Sequence, residues 1–266
     1  MQRIRLRYTK RGRLRFTSHR DFQRAFERAL RRSAVPMAYS AGFTPHPKVS
    51  YANAAPTGVA SEAEYLEIGL ADFRDPQELR AQLDESLPAG LDVIDAVEVR
   101  TPNFVERLEA SQWEIRLDGV TEEEAGRAVE LFLAAERVEV ERQTKNGLRV
   151  FDARGAVAGF ALVPGGSGVG PLGESVATSD VRTTGPCAIL RLVVRHATPA
   201  VRPDDVLSGL RATADLAPPV PAEVTRLAQG PLDEETGTVT DPLALDRAAA
   251  QAVPTETAGP QAVASA

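Results

Sequence analysis

Hydrophobic and polar positions alternate from the first residues: Ile4, Leu6 and Tyr8 fall on one face of an extended segment, and Arg3, Arg5 and Arg7 on the other. That is the period of a half-buried strand. Lys10-Arg11-Gly12 supplies a short turn and Arg13-Leu14-Arg15-Phe16 resumes the alternation, which predicts a β-hairpin whose outer face carries Arg3, Arg5, Arg7, Arg13 and Arg15. Like charges on such a surface repel unless an anion or acidic neighbours compensate. The period then lengthens. Ser18 is suited to cap a helix, and Asp21 places a carboxylate in its first turn. Phe22, Phe26, Ala29 and Leu30 form the apolar stripe, while Arg20, Arg24, Arg28 and Arg31 form a second stripe of cations, in a helix that starts near His19 and ends before Pro36.

Further along, Met37–Ser40, Lys48–Asn53 and Glu62–Leu70 read as strands separated by a rigid Gly/Pro-containing loop. Asp75-Pro76 opens a helix through Leu87, and Leu91–Arg100 returns to a strand. A second pass has the same flavour: strand Ala110–Leu117, helix Glu122–Ala135, strand Val138–Arg142, the Asn146-Gly147 turn, strand Leu148–Phe151, strand Ala188–Val194, helix Pro203–Thr213 and a last strand near Val224–Leu227. The predicted class is α+β, with two ferredoxin-like β-α-β-β-α-β halves, residues 1–100 and 101–229, each with an antiparallel sheet. In that order two helices cover one sheet face and leave the other free to bind. The alternative is one larger antiparallel sheet with helices on one side. Residues 164–180, rich in Gly, Pro and Ser, read as a mobile loop. Residues 230–266 hold six acids, one Arg and no aromatic, the composition of a disordered acidic tail.

Composition changes this picture in one respect. The chain has 43% hydrophobic and 26% charged residues and a net charge of −6, as a globular protein would. Residues 1–50, however, carry thirteen Lys and Arg against Asp21 and Glu27, whereas the remainder carries eighteen against thirty-five acids. A basic block on an acidic chain points to a polyanion, because phosphates are held by Lys and Arg. The blander account is an Arg-rich solvated face. No run is long and apolar enough to span a membrane and the first residues are charged, so a cytoplasmic location is expected. The single Cys187 excludes an intrachain disulfide, a four-Cys zinc site and a three-Cys iron–sulfur motif carried by this chain. No cofactor and no metal are expected.

Candidate chemistry centres on the histidines. His19 opens a helix beside Ser18 and Asp21, and His46 lies between Pro45 and Pro47, which fix the backbone and present the imidazole for proton transfer or for a hydrogen bond to phosphate. The alternative is that His19 caps its own helix and His46 is an exposed turn residue. His196 follows a strand. Among the aromatics interleaved with the basic region, namely Phe16, Tyr39, Phe43, Tyr51 and Tyr65, Phe43 is the best candidate to stack on a base and the others suit a core. Glu62, Glu64 and Glu67 are either paired carboxylates or, preferably, neutralise the arginine face. Gly168–Gly173 matches a dinucleotide pattern by letter, but lacks a following helix and is assigned to chance.

Four motifs in order, Arg15-Phe16-Thr17-Ser18-His19-Arg20-Asp21, Arg28-Ala29-Leu30-Arg31-Arg32, Gly42-Phe43-Thr44-Pro45-His46-Pro47 and Gly58-Val59-Ala60-Ser61-Glu62-Ala63-Glu64-Tyr65-Leu66, resemble the bacterial radical-SAM-linked protein family, whose domain has no established function. The likeness is strong over residues 1–100 and loose over 101–229. Arg20 stands where Leu is usual and Thr44 where Asn is common. The resemblance implies a free-standing accessory to a radical-SAM protein, in agreement with the missing cluster cysteines. The leading expectation is therefore an accessory domain that binds a structured RNA, ribosomal or transfer, for a radical-SAM partner. Its nucleic-acid-binding residues would be Arg3, Arg5, Arg7, Arg13, Arg15, Arg20, Arg24, Arg28, Arg31, Phe43, His46 and Lys48, with His19 contributing to the specific site. The rivals are a metal-independent endoribonuclease using His19 and His46 as acid and base, and a protein-docking subunit without RNA contact.

Overall fold

The structure, a computed structural model, describes residues 1–145, 147–166 and 185–252. In chain order the elements of the first half are β1 (Gln2–Lys10), α1 (His19–Arg32), β2 (Val49–Ala52), β3 (Ala60–Leu70), α2 (Pro76–Ser86) and β4 (Val93–Glu98). The second half adds β5 (Ala110–Asp118), α3 (Glu122–Ala134), β6 (Glu139–Thr144), β7 (Gly147–Asp152), β8 (Val157–Val163), β9 (Cys187–Arg195), α4 (Pro203–Ala214) and β10 (Glu223–Gly230). The chain then continues through β11 (Leu232–Asp233), β12 (Thr238–Val239) and α5 (Ala244–Gln251).

Local chemistry explains the helix starts. The Ser18 hydroxyl accepts from the Asp21 N–H at 3.2 Å, the Asp75 carboxylate accepts from the Gln77 and Glu78 N–H groups, and Thr121 and Glu124 cap each other's backbone. Each side chain satisfies donors that the first helical turn leaves without partners.

The alternation of residues 2–10 makes a strand, but the predicted hairpin does not form. β1 lies between β3 and β4, with Leu6 opposite both Leu66 and Ala96 and Ile4 opposite Ile68. Gly12–Phe16 is a short 3-10 turn instead. Arg13–Phe16 offers only two apolar side chains, whereas β3 offers Leu66, Ile68 and Leu70 at the matching period, so burial favours the distant partner over the near one. Met37 and Tyr39 likewise make isolated bridges, to Leu70 and Pro47, and no strand.

One mixed sheet runs through the molecule in the order β4-β1-β3-β10-β5-β9-β8, with β2 also paired to β3. Neighbours are antiparallel except β3 and β10, which run parallel where Thr225 and Arg226 meet Ala60 and Ser61. The two sheets expected for the two halves are thus a single sheet, and β6 and β7 form a separate hairpin. Ile4, Leu6, Phe22, Phe26, Leu66 and Leu83 pack together between the sheet and α1 and α2. Ile115, Leu117, Phe132, Leu190 and Val206 do the same beneath α3 and α4.

The opposite face of the first half, expected to be free, is covered. Ala63, Tyr65 and Val97 of the sheet pack against Phe104, Leu108 and Leu243. Residues 230–252, read as part of a disordered tail, are therefore ordered. Their α5 delivers Asp246, which is 0% exposed. Its Oδ1 accepts from the Arg100 and Thr101 N–H groups, each at 2.9 Å, and from the Thr101 hydroxyl at 2.7 Å. Its Oδ2 accepts from Arg5 and, at 3.3 Å, from Arg107. Arg5, expected on an exposed face, is 2% exposed and also reaches Glu67 at 3.1 Å and the Thr101 carbonyl at 2.8 Å. Apolar content is a poor guide because a buried carboxylate, together with Leu243, anchors the segment. Asn146, most of the 164–180 loop including Gly168–Gly173, and residues 253–266 lie outside the described residues.

Burial alone would raise the Asp246 carboxyl, but hydrogen bonds from Thr101 and Arg100 and the Arg5 guanidinium outweigh it and hold it below the ordinary carboxylate value. A depressed carboxyl contributes stability that is present above its unfolded-state value of about 3.9 and is lost as pH falls through the folded-state value. Asp246→Ala is expected to lower stability at neutral pH by about 3–5 kcal/mol, the typical cost of breaking a buried pair, and to shrink the acid-side loss below about pH 4. Urea unfolding at a series of pH values checks both, and a variant as stable as the parent would return the segment to a passive tail.

Candidate functional site

The basic residues separate into two groups. Arg5 is internal, Arg3 pairs with Glu67 at 3.1 Å, and Arg7 is half-buried with its Nε donating to the Glu62 carbonyl at 2.8 Å. Arg15 reaches Glu223 at 3.5 Å and lies over the Phe16 ring, 4.9 Å from its centroid. These side chains are largely committed to the fold. The others are not: Arg13, Arg20, Arg28 and Arg31 are exposed and carry no ion pair among the described residues. Arg24 is also exposed and has only Asp21, at 3.7 Å. The helix turns Phe22, Phe26, Ala29 and Leu30 inward, so the arginines at the intervening positions stand on its solvent side.

Phe43 sits at the tip of a loop closed at its base by the Tyr39–Pro47 bridge and by the Ser40 N–H donating to the His46 carbonyl at 2.8 Å. Phe43 is 110% exposed. Its ring therefore stands in solvent and is open to stacking. Exposed His46 lies in the same loop, with its N–H donating to the Ser40 hydroxyl at 3.0 Å. Lys48 is exposed, with Nζ 3.5 Å from the Met1 sulfur.

His19 is elsewhere. Its ring meets Tyr51 edge-on at 4.9 Å, and its Nε2 lies 3.0 Å from Gln23 Nε2. No hydrogen bond or ring contact joins His19 to His46. His196 does not join them either: its Nε2 pairs with the Ser111 hydroxyl at 2.7 Å and its Nδ1 with the Leu108 carbonyl, while burial holds its pKa below the ordinary value. Among the described residues no group of three His, Cys, Asp or Glu side chains is placed to hold a metal ion.

A cluster that the sequence pattern does not bring together, although His19 and Glu64 are among its candidates, lies where β1 ends. Tyr8, Lys10, Thr17, His19 and Glu64 line a small cavity of about 20 Å³. The Lys10 ammonium donates to the Ala55 and Pro56 carbonyls at 3.4 and 3.2 Å. Glu64 accepts from the Ala55 N–H at 3.0 Å and pairs with Arg226, both carboxylate and guanidinium being buried. The β1–β3 register shifts between Tyr8 and Lys10, and such a bulge re-aims the side chains around it. A signal existed. Lys10 continues the apolar series Ile4, Leu6, Tyr8, and Glu62 and Glu64 precede Leu66, Ile68 and Leu70 at the same period, so charges fall where the pattern demands core residues.

Residues 3–203 match the family model described as an uncharacterized protein conserved in bacteria, DUF2344. The chain belongs to that family. Among curated proteins none matches it. The DUF2344 match takes in α1, the Phe43 loop, Tyr8, Lys10 and Glu64, and stops short of β10 and α5. Arg226 and Asp246, the partners that neutralise Glu64 and Arg5, therefore lie outside the matched region. No helix among the described residues of this DUF2344 protein is long and apolar enough to cross a membrane.

Burial lowers the Lys10 ammonium below its ordinary value, and the Glu64 carboxylate limits the shift. Lys10 should accordingly titrate below about 10.4, the value of an unperturbed lysine, when followed by NMR of the ε-ammonium. A midpoint at or above the unperturbed value would place the group in water and open the end of β1 to solvent.

Proposed function

We propose that this chain is an RNA-binding accessory protein, located in the cytoplasm, that serves a radical-SAM modifying enzyme. One observation carries the RNA part: Arg20, Arg28 and Arg31 share the solvent side of α1 with no ion pair to an acid among the described residues, with Arg24 among them. Uncompensated cations in a row are a footprint for a phosphate backbone, whose bound counterions they release. Exposed Phe43, His46 and Lys48 supply a stacking ring, a hydrogen-bonding imidazole and one more cation for a base or an RNA bend. The link to a radical-SAM partner rests on the four-motif resemblance and on the single cysteine.

The finer architecture belongs to this reading. β4-β1-β3-β2 and β10-β5-β9-β8 have the same antiparallel order, and we read them as two ferredoxin-like units, the second with the β6–β7 hairpin inserted. With the rear face of the first unit covered, RNA is assigned to the helical side.

Fluorescence anisotropy with a structured RNA tests this. Arg24→Glu, Arg28→Glu and Arg31→Glu combined should weaken binding and reduce the slope of log K against log salt by about 0.7–0.9 for each phosphate that is no longer neutralised. Phe43→Ala should cost about 1–3 kcal/mol if a base stacks there. Because these side chains are exposed, the melting temperature should stay where it is. Unchanged affinity and slope would remove RNA from α1. Cleavage of the RNA lost in His19→Ala and His46→Ala would favour the endoribonuclease, and retention of protein partners alone the docking subunit.

A further inference from the structure

We propose that the cavity between the bulged end of β1 and the N-terminus of α1 seats an oxygen of a terminal phosphate group. The inference rests on the RNA reading only for the source of that phosphate; the cavity makes the case for the group itself. Tyr8 is 4% exposed and lines the cavity, yet its hydroxyl has no hydrogen-bond partner among the described residues. The hydroxyl is not itself sealed from solvent and opens on that space, where a water or a ligand oxygen can accept its proton. Burial and the nearby Glu64 push the phenol well above its ordinary value, so it remains a donor.

The other groups at the cavity are donors too. The Lys10 ammonium has three protons and uses two on the Ala55 and Pro56 carbonyls. Thr17 contributes a hydroxyl. His19 also lines the cavity, with its Nε2 3.0 Å from Gln23 Nε2. The one acid lining the cavity, Glu64, is neutralised by Arg226 at Oε1 and accepts the Ala55 N–H at Oε2. Lys10, Glu64 and Arg226 together leave one positive charge, and α1, fourteen residues long, begins beside it with the positive end of its dipole. Donors, positive charge and a helix start select an anion.

Size narrows the choice. A volume of about 20 Å³ admits one water-sized group and neither a base nor a sugar. The anion must therefore project an oxygen inward from a group that remains in the mouth beside exposed His19, as a phosphate monoester does at a chain end. Internal phosphodiesters, flanked by two sugars, cannot enter as far. An RNA terminus and free phosphate share this chemistry.

Tyr8→Phe is the clean variant, since it removes a hydroxyl that no protein group uses. Three otherwise identical short RNAs, with a 5′-phosphate, a 3′-phosphate or hydroxyls at both ends, are titrated against parent and variant, and inorganic phosphate is titrated alone by calorimetry. One phosphorylated end should bind about tenfold tighter than the hydroxyl-ended RNA, the scale of one charge-assisted hydrogen bond. Tyr8→Phe should erase that advantage and leave the hydroxyl-ended affinity and the melting temperature unchanged. Inorganic phosphate binding that disappears in Tyr8→Phe, without preference for any RNA end, would support the cavity with free phosphate as its ligand. Equal affinity for the three RNAs together with no phosphate binding overturns the proposal, and salt-dependent RNA binding in that case leaves the RNA reading standing. Should no RNA bind at all, that reading falls and the calorimetric arm alone decides for or against the cavity.

Discussion

The buried pair of Arg226 and Glu64 sits at the narrowest point of the sheet, and the rest of the molecule depends on it. β3 and β10 are matched over only two residue pairs, so few backbone hydrogen bonds join the four strands of the first half to those of the second. The guanidinium crosses this seam to Glu64, its Nε reaches toward Ser61 at 3.4 Å, and its plane lies 5.5 Å from the Trp113 ring centroid. Such a pair adds little net stability over a hydrophobic substitute, because both charges lose their water. Removing one partner alone is severe, since it leaves the other buried and unpaired. The pair favours one register of β10 beside β3, a register also held by the buried Gln229 amide donating to the Ala63 carbonyl at 2.6 Å. From Glu64 the constraint passes to the Ala55 backbone, from there to Lys10, and so to the lip of the cavity beside α1.

The same logic governs how the arginine-rich first segment is divided. A charge count over residues 1–50 treats every cation alike, yet strand and helix dispose of them differently. On β1 the arginines share a face that a later part of the chain covers, and each inward guanidinium must find acceptors: Asp246, Glu67 and the Thr101 carbonyl for Arg5, and the Glu62 carbonyl for Arg7. On α1 none of the described residues is laid over the outer side, and the cations there stay in water. Charge on a strand is thus mostly architecture and charge on α1 is available, although both arise from one basic stretch.

This division also explains what could be seen in the chain. Elements whose determinants are local were legible: the Ser18 cap and the four-residue apolar repeat define α1, Asp75-Pro76 opens α2, and alternation gives β1, β3 and β9. What failed depends on residues far apart. The hairpin expected at residues 2–16 lost to β3, some sixty positions away in register, and the seam strand β10 gave no sign that it would join two halves. Arg5 looked exposed because its partner, Asp246, lies in a segment poor in apolar residues whose acids resembled those of a solvated tail. For the site, the row of arginines on α1 and the exposure of Phe43 followed from period and flanking prolines. The cavity did not, because Tyr8 and Lys10, Thr17 and His19, and Glu64 come from three places in the chain.

Two buried polar clusters flank the first half of the sheet, and the difference between them separates structure from function. Around Asp246 the hydrogen bonding is complete: both carboxylate oxygens are occupied several times over, and Arg5 donates in three directions. A cluster so completely satisfied gains nothing from a ligand, and its natural role is to fasten α5 to the sheet. At the end of β1 Glu64 is neutralised by Arg226 while donors remain, on Tyr8 and Lys10, at a space that a water-sized group can enter. Folding alone gives no reason to place a lysine in an apolar series, since it costs free energy to bury. Sites that violate the local pattern without completing their own hydrogen bonds are where a sequence has been shaped by something outside it.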